Sequence, residues 1–460
     1  MEKKRKHTNR HWLIGCVGAL ATAILFGNPM SVSAEEIPQE QGNTVAGQNC
    51  DLYFLSVGNV ILVNENQTTG YTYEGVTFDS QTNTVVLNNA DIKADPDQMK
   101  REWKNVLDVF TAEAGASGAD LTIQLVGENH ISYTKPLQKD VHGFGHNIMG
   151  VYAFSDVTIQ GEGSLDIFCD GDAEKGIRVA STSAFCGNDI FNPTEFRIEG
   201  STVRIDGSKC NVDGAGIGLA GQNNMIVNAG ELEITAKGLE SPFGFSGIDT
   251  SKINDFSAVN TVEFSDSKVT MEGPKGGQYG SVGISLSFGG NLTMRNSDVQ
   301  MDYSKATGGR AITGNYNGYD AKLTIDNSNF KAIESKNFSG RYTIGFKTLE
   351  TRGNLSYKGG NSVDSMQDLT KEELFQSVNG EVYRNYNCFS VTSSGESGDV
   401  TPGDINEDGN INIFDVVYCQ NHITGTTELT GNAFDAADLN GDGVVNIMDL
   451  VQLQNKVTTV

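Results

Sequence analysis

Apolar and polar residues alternate along most of the chain in short paired bursts, and the pairing repeats. The unit is apolar, variable, apolar, then four polar or small residues, then apolar, variable, apolar. It reads FRIEGSTVRI at 196–205, VEFSDSKVTM at 262–271, LTMRNSDVQM at 292–301, LTIDNSNFKA at 323–332 and VVLNNADIKA at 85–94. MIVNAGELEI at 225–234 and VTIQGEGSLDI at 157–167 are looser copies, the second one residue longer at its turn. From Val157 onward the copies begin 29 to 39 residues apart. Period-two alternation on both sides of a polar break predicts two short strands meeting at a corner, each with one buried face.

A third strand recurs between units: GVYAF at 150, GIRVA at 176, GIGLA at 216, GIDTS at 247, GISLS at 283, AITG at 311 and TIGFK at 343. Three strands per turn, none able to bury its apolar face alone, predict a mainly β fold of stacked turns, a right-handed parallel β-helix. The 54 glycines and the Asn-Ser, Asp-Ser and Gly-Ser corner pairs suit turns with left-handed backbone and stacked polar side chains. Two-residue hairpin signals are scarce, which argues against a β-sandwich or a propeller.

Two stretches break the alternation. In DPDQMKREWKNVLDVFTAE, Asp95 can cap and Met99, Trp103, Val106, Leu107 and Phe110 share one helical face, predicting a helix. In LTKEELFQSVNG, Thr370 with Glu373 forms a capping box and Gly380 a stop, predicting a helix that covers an open end of the coil. Residues 393–402 are small and polar and read as a linker, so the domains fall at 35–392 and 403–460.

The N-terminus has the form of a secretory signal over residues 1–34: a basic start, an apolar run from Trp12 to Phe26, and Val32-Ser33-Ala34 at the cleavage position. That run is short for a bilayer span. Five of the 33 basic and one of the 58 acidic residues lie in it, leaving 28 and 57 and a net charge of −29. Such a surface repels nucleic acid and anionic membrane and suits neutral polymers or cations. The six cysteines beyond it are too scattered for a zinc site, and a Cys169–Cys186 bridge across one loop is compatible with their spacing.

The strongest motif is C-terminal. DINEDGNINIFD at 404–415 is repeated as DLNGDGVVNIMD at 438–449. A hard cation such as Ca²⁺ takes oxygens from positions 1, 3, 5, 7, 9 and 12 of a twelve-residue loop, with Gly at 6 for the sharp turn. In the first copy these are Asp404, Asn406, Asp408, the Asn410 carbonyl, Asn412 and Asp415, with Gly409. The second supplies Asp438, Asn440, Asp442, the Val444 carbonyl, Asn446 and Asp449, with Gly443. Position 12 is Asp rather than Glu and no helix-forming stretch precedes the first loop, so each unit is a loop followed by one helix.

Duplicated loop–helix units of this pattern resemble type I dockerins, the modules that attach cellulosomal proteins to cohesins on a scaffold. The resemblance covers 403–460 and implies two Ca²⁺ ions, a cohesin partner, an extracellular setting and polysaccharide breakdown as the process. It also implies that partner recognition lies on Ile413, Phe414, Gln420 and Asn421 and on their counterparts Ile447, Met448, Gln454 and Asn455. The near-identity of the sets implies that either face can bind. Ile413 and Ile447 could equally pack the small core.

The body is similar to the pectate-lyase-like β-helix superfamily and to carbohydrate-binding domains within it. A hydrolase there needs carboxylates at rung spacing, and a lyase needs a base beside a calcium-holding acid cluster. Three outward columns are predicted. One runs Tyr152, Arg178, Gly218, Asp249, Ser285, Thr313, Gly345; the second Thr158, Arg197, Ile226, Glu263, Thr293, Thr324; the third Asp166, Arg204, Glu233, Thr270, Gln300, Lys331. None joins two acids on consecutive turns, and Arg204 is expected to bridge Asp166 and Glu233 structurally. HGFGH at 142–146 and CDGD at 169–172 are glycine-rich loops with weak metal-ligand character. Tyr152, Arg178, Asp249, Tyr316 and Tyr319 offer a face for a plant cell-wall polysaccharide. The expected role is polysaccharide binding; a lyase or glycoside hydrolase, or a structural spacer, are the alternatives, and no catalytic residue is assigned.

Overall fold

A computed structural model describes residues 46–94, 106–113, 119–133, 147–154, 156–168, 181–187, 195–207, 216–220, 224–237, 245–250, 260–276, 281–286, 289–314, 320–335, 342–343, 346–378, 381–393, 401–406, 410–427, 429, 432–440 and 444–458. The predicted signal segment, the HGFGH and CDGD loops, Cys169, Arg178, Tyr316, Tyr319 and Gly345 lie outside them.

The body is built of strands in three large sheets of 10, 10 and 11, and through its middle each sheet takes every third strand of the chain. Successive strands within a sheet run parallel there: Val157–Gln160 lies between Leu121–Val126 and Glu195–Glu199, and Thr261–Ser265 between Asn224–Asn228 and Gly290–Arg295. Antiparallel strands end the stack, Phe54–Val57 against Val60–Asn64 at one end and Cys388–Ser393 between Asn329–Ile333 and Leu355–Gly360 at the other.

Register is held by apolar columns. Val157, Phe196, Met225, Val262, Leu292 and Leu323 stack inward, as do Ile131, Ile167, Ile205, Ile234, Met271 and Met301. A one-residue slip would turn every one of these outward, at about 1.5–3 kcal/mol per side chain.

The corner after each second-sheet strand explains the glycine and Asx content. Asn89, Gly127, Gly200, Ala229, Asp266, Asn296, Asn327 and Gly353 all have φ between 42° and 85°. At Gly127 a Cβ would lie 2.2 Å from the Asn89 side chain, which would have to turn away, and its φ of 68° favours glycine whatever the space. One residue further, the serines form a ladder: Ser267 N donates to Ser297 Oγ and Ser297 N to Ser328 Oγ, each at 3.1 Å. These bonds satisfy backbone groups that a buried corner would otherwise orphan.

The predicted helix over 95–113 is corrected in its second half. Val106–Glu113 is a strand, antiparallel to Phe54–Val57 and parallel to Asn147–Phe154. Phe110, Thr111 and Ala112 are all buried, and backbone pairing on both sides outweighs the helical spacing of the apolar residues. The second predicted helix keeps its start: Thr370 Oγ1 accepts from Glu373 N at 3.2 Å and Thr370 N donates to Glu373 Oε2 at 2.7 Å. It lasts only from Lys371 to Leu374, because Phe375–Val378 leaves it to pair with Glu381–Arg384. Phe375 meets Phe389 edge-on at 5.7 Å, and Phe389 meets Phe330 at 5.4 Å, closing an apolar column.

Both ends of the body carry polar closures. The edge strand Asp91–Ala94 has Lys93 N donating to the Tyr73 hydroxyl at 2.9 Å while that hydroxyl donates to Asp91 O at 3.1 Å. At the other end Glu334 is buried; its Oε1 accepts from Ala311 N at 2.7 Å and its Oε2 from Arg384 Nη2. Burial, with Arg310 nearby, presses the Arg384 guanidinium down to about 9, which leaves it charged at neutral pH.

Candidate functional site

The C-terminal module has its own core of Ile405, Val416, Cys419, Leu429, Ala436, Ala437, Val445, Leu450 and Leu453. Three helices supply it: Ile413–Ile423, Asn432–Ala437 and Ile447–Thr458. The first and last follow the two loops as expected; the middle one was not foreseen, since NAFDAA is too short to show a period. Its Ala436 carbonyl accepts from Gly403 N at 2.8 Å, against the start of the first loop. The first helix is capped by Asn412, whose Oδ1 accepts from Phe414 N at 2.8 Å, and ends at Thr424 before Gly425 with φ 71°.

The loops are built alike. Asn406 N donates to Asp415 Oδ1 and Asn440 N to Asp449 Oδ1, both at 3.2 Å. Asn412 N donates to Asp415 Oδ2 at 2.8 Å and Asn446 N to Asp449 Oδ2 at 3.0 Å. Asn412 Nδ2 reaches the Asn410 carbonyl at 3.2 Å, and Asn446 Nδ2 reaches the Val444 carbonyl at 3.0 Å. Asp415 and Asp449 are both wholly buried, and Asp404 nearly so. Two carboxylates buried in one loop repel each other unless a cation lies between them, so the donor set fits a hard divalent ion. Asp408 and Asp442 fall outside the described residues, and among the described ones no three His, Cys, Asp or Glu side chains gather in metal-holding geometry.

Packing does not absorb the residues expected to meet a partner. Ile413 is 60% exposed and Phe414 64%, while Ile447 and Met448 are 58% and 61% exposed. Gln420, Gln454 and Asn455 are exposed and Asn421 is half-buried. Val417, Tyr418 and Val451, which were not singled out, extend the same faces and are exposed too. Spacing of four from Ile413, Phe414 and Ile447 would have found them. Cys419 faces inward between the helices, where burial, and then Asp449, push its thiol up to about 11.

On the body, two predicted columns keep their register, although Thr324 at the end of the first is buried rather than outward. Thr158, Arg197, Ile226, Glu263, Thr293 and Thr324 pair in order, as do Asp166, Arg204, Glu233, Thr270, Gln300 and Lys331. Arg204 bridges Asp166 at 3.2 Å and Glu233 at 3.9 Å, as expected. The column through Tyr152 and Asp249 is corrected. Its intervening residues are Cys186 and Ala220, not Arg178 and Gly218: Tyr152 pairs with Cys186 of Ser181–Gly187, and in Gly216–Ala220 the residue opposite Asp249 is Ala220, two beyond Gly218. TIGFK also departs: Tyr342–Thr343 pairs antiparallel with Glu381–Arg384 in a separate sheet. Asp249 is half-buried.

Columns outside those three do place acids on consecutive turns. Glu272 pairs with Asp302. Asp326 stands opposite Arg352, whose guanidinium lies 4.0 Å from it and 3.5 Å from Glu350. Burial holds the Asp326 carboxyl above its usual range, against Arg352 and Arg295, whereas the Lys322 hydrogen bond and Arg352 hold Glu350 below its own. Glu272, Asp302 and Asp326 are missed when only the central residue of each strand is read, and Glu350, opposite Thr324, is missed because the second column was read no further.

No helix among the described residues is long and apolar enough to cross a membrane. No curated protein and no solved structure matches the chain. A family model does, the Dockerin type I domain, over residues 402–458, the stretch that holds both loops and all three helices. The C-terminal module is therefore a dockerin type I domain, the calcium-binding kind of module through which cellulosomal proteins dock onto cohesins.

Proposed function

We propose that this chain is a secreted cellulosome component whose dockerin holds two calcium ions, one per loop, and docks on a scaffold cohesin. The body, a right-handed parallel β-helix over 35–392, carries a polysaccharide-binding face. The observation that carries the reading is the pair of equivalent exposed steps, Ile413-Phe414 and Ile447-Met448, each next to a buried loop aspartate. In that arrangement Asp404, Asn406, Asp408, Asn412, Asp415 and the Asn410 carbonyl hold the first ion and their counterparts the second. The ion neutralises the buried carboxylates and fixes the start of each helix, which sets the apolar step. Every-third-strand parallel order supports the β-helix, and Tyr152 and Asp249 share one register column, three rungs or roughly 14 Å apart.

Calorimetric titration with cohesin modules, with and without chelator, tests docking: binding that survives chelation sinks calcium dependence. Affinity gels of cellulose, xylan and polygalacturonate test the body. Retention by none leaves a spacer.

One observation favours a second reading, a hydrolase of glycosidic bonds: Asp326 and Glu350, on consecutive turns about Arg352, are displaced in opposite directions, as an acid and its base are. Reducing-end release from any of the three polymers, lost in Glu350→Gln, would establish it; no release removes it.

A further inference from the structure

The two loop–helix copies keep the same ligand positions and the same apolar core positions, with Val416 answered by Leu450 and Cys419 by Leu453, and their exposed faces can be compared residue by residue. Ile413 answers Ile447, Val417 answers Val451, and Gln420-Asn421 answers Gln454-Asn455. Phe414 is replaced by Met448, Tyr418 by Gln452 and His422 by Lys456.

The last of these is used inside the module. His422 Nδ1 accepts from Leu429 N at 2.9 Å and its ring meets Phe434 edge-on, while Lys456 Nζ donates to Pro402 O at 2.6 Å. On the helix faces, the difference offered to a partner is therefore the aromatic pair; in the loops it is Val444, exposed where the first copy has Asn410. Phe414 and Tyr418 stand one turn apart on a single helix face and both are exposed. The matching face has a methionine and an exposed glutamine.

Aromatic side chains on a rigid helix bring large contact area at small entropic cost, and Tyr is enriched among residues that dominate interfaces. Gln452 offers neither. Resting on the docking reading above, we propose that the two faces are unequal and that the chain seats its cohesin on the helix Ile413–Ile423 through Phe414 and Tyr418. The face of Ile447–Thr458 is the weaker alternative. The occupant is a cohesin because the dockerin match spans both helices.

The exchange of one side chain tests this. The full chain, in calcium, is titrated with each of a set of type I cohesin modules. With a cohesin that binds wild type, Tyr418→Gln raises Kd by about tenfold or more, whereas Gln452→Ala stays within about twofold. Gln452→Tyr placed in the Tyr418→Gln chain recovers most of the loss by building the better face on the other helix. Both sites are exposed, and unchanged helical circular dichroism and calcium affinity show that the module is intact. A Kd within twofold of wild type for Tyr418→Gln overturns the proposal, as does an equal loss from Gln452→Ala. Wild type binding no cohesin overturns the docking reading itself.

Discussion

Arg384 donates to Glu334 inside the body, where each side chain is only 2% exposed. Arg384 comes from the terminal hairpin strand Glu381–Arg384, and Glu334 also holds Ala311 N, so one carboxylate fastens the hairpin to the last turns. Removing one partner leaves a buried charge. Arg384→Met is expected to cost about 3–5 kcal/mol, and Glu334→Gln added to it to return part of that. Denaturant unfolding of the body checks both; equal stability of the single mutant and wild type would contradict the assignment.

Calcium removal should act on one core and spare the other. Cys419 is wholly buried in the dockerin core, and Cys50 and Cys388 are buried in the body. With chelator the loop aspartates lose their cation and the module unfolds, so Cys419 becomes alkylated while Cys50 and Cys388 stay protected. Peptide mapping after iodoacetamide labelling reads each cysteine separately.

Dockerin stability should also fall in alkaline solution. Burial raises the Cys419 thiol from 9.0 to about 11, so the folded module holds its proton where the unfolded chain gives it up. The contribution is complete below pH ~9 and is lost as pH rises through the folded value. Cys419→Ala should flatten the slope between those limits while lowering stability elsewhere. Thermal melts in calcium across that range decide it; parallel slopes for the two proteins would refute the link.

Ala229 is the one residue that is neither Gly nor Asx in the left-handed corner column, with φ 48°. A left-handed conformation costs a residue with a Cβ about 1–2 kcal/mol, offset in part by glycine's greater freedom when unfolded. Ala229→Gly should therefore stabilise the body by up to ~1 kcal/mol, seen as a raised denaturant midpoint with unchanged slope. A lowered midpoint would show the corner to be unstrained.

The repeat was legible because inward columns must be apolar on every turn, and the corner pairs because few residues accept positive φ. The dockerin was legible because its twelve-residue loop pattern occurs twice in one register. Val106–Glu113 was not, since Val106, Leu107 and Phe110 suit a helix until two neighbouring strands claim its backbone. Arg178 was misplaced because the strand of that turn starts later than its Gly-Ile signal. Asp326 with Glu350 escaped notice because their relation runs through Arg352, across turns.

An uncovered rung is a template onto which another chain can add, and a coil with two such ends would lengthen into a fibre as it concentrated. The Tyr73 hydroxyl occupies the Lys93 amide and the Asp91 carbonyl that an added strand would need. A single phenol thus closes this edge, while antiparallel strands close the same end of the other two large sheets.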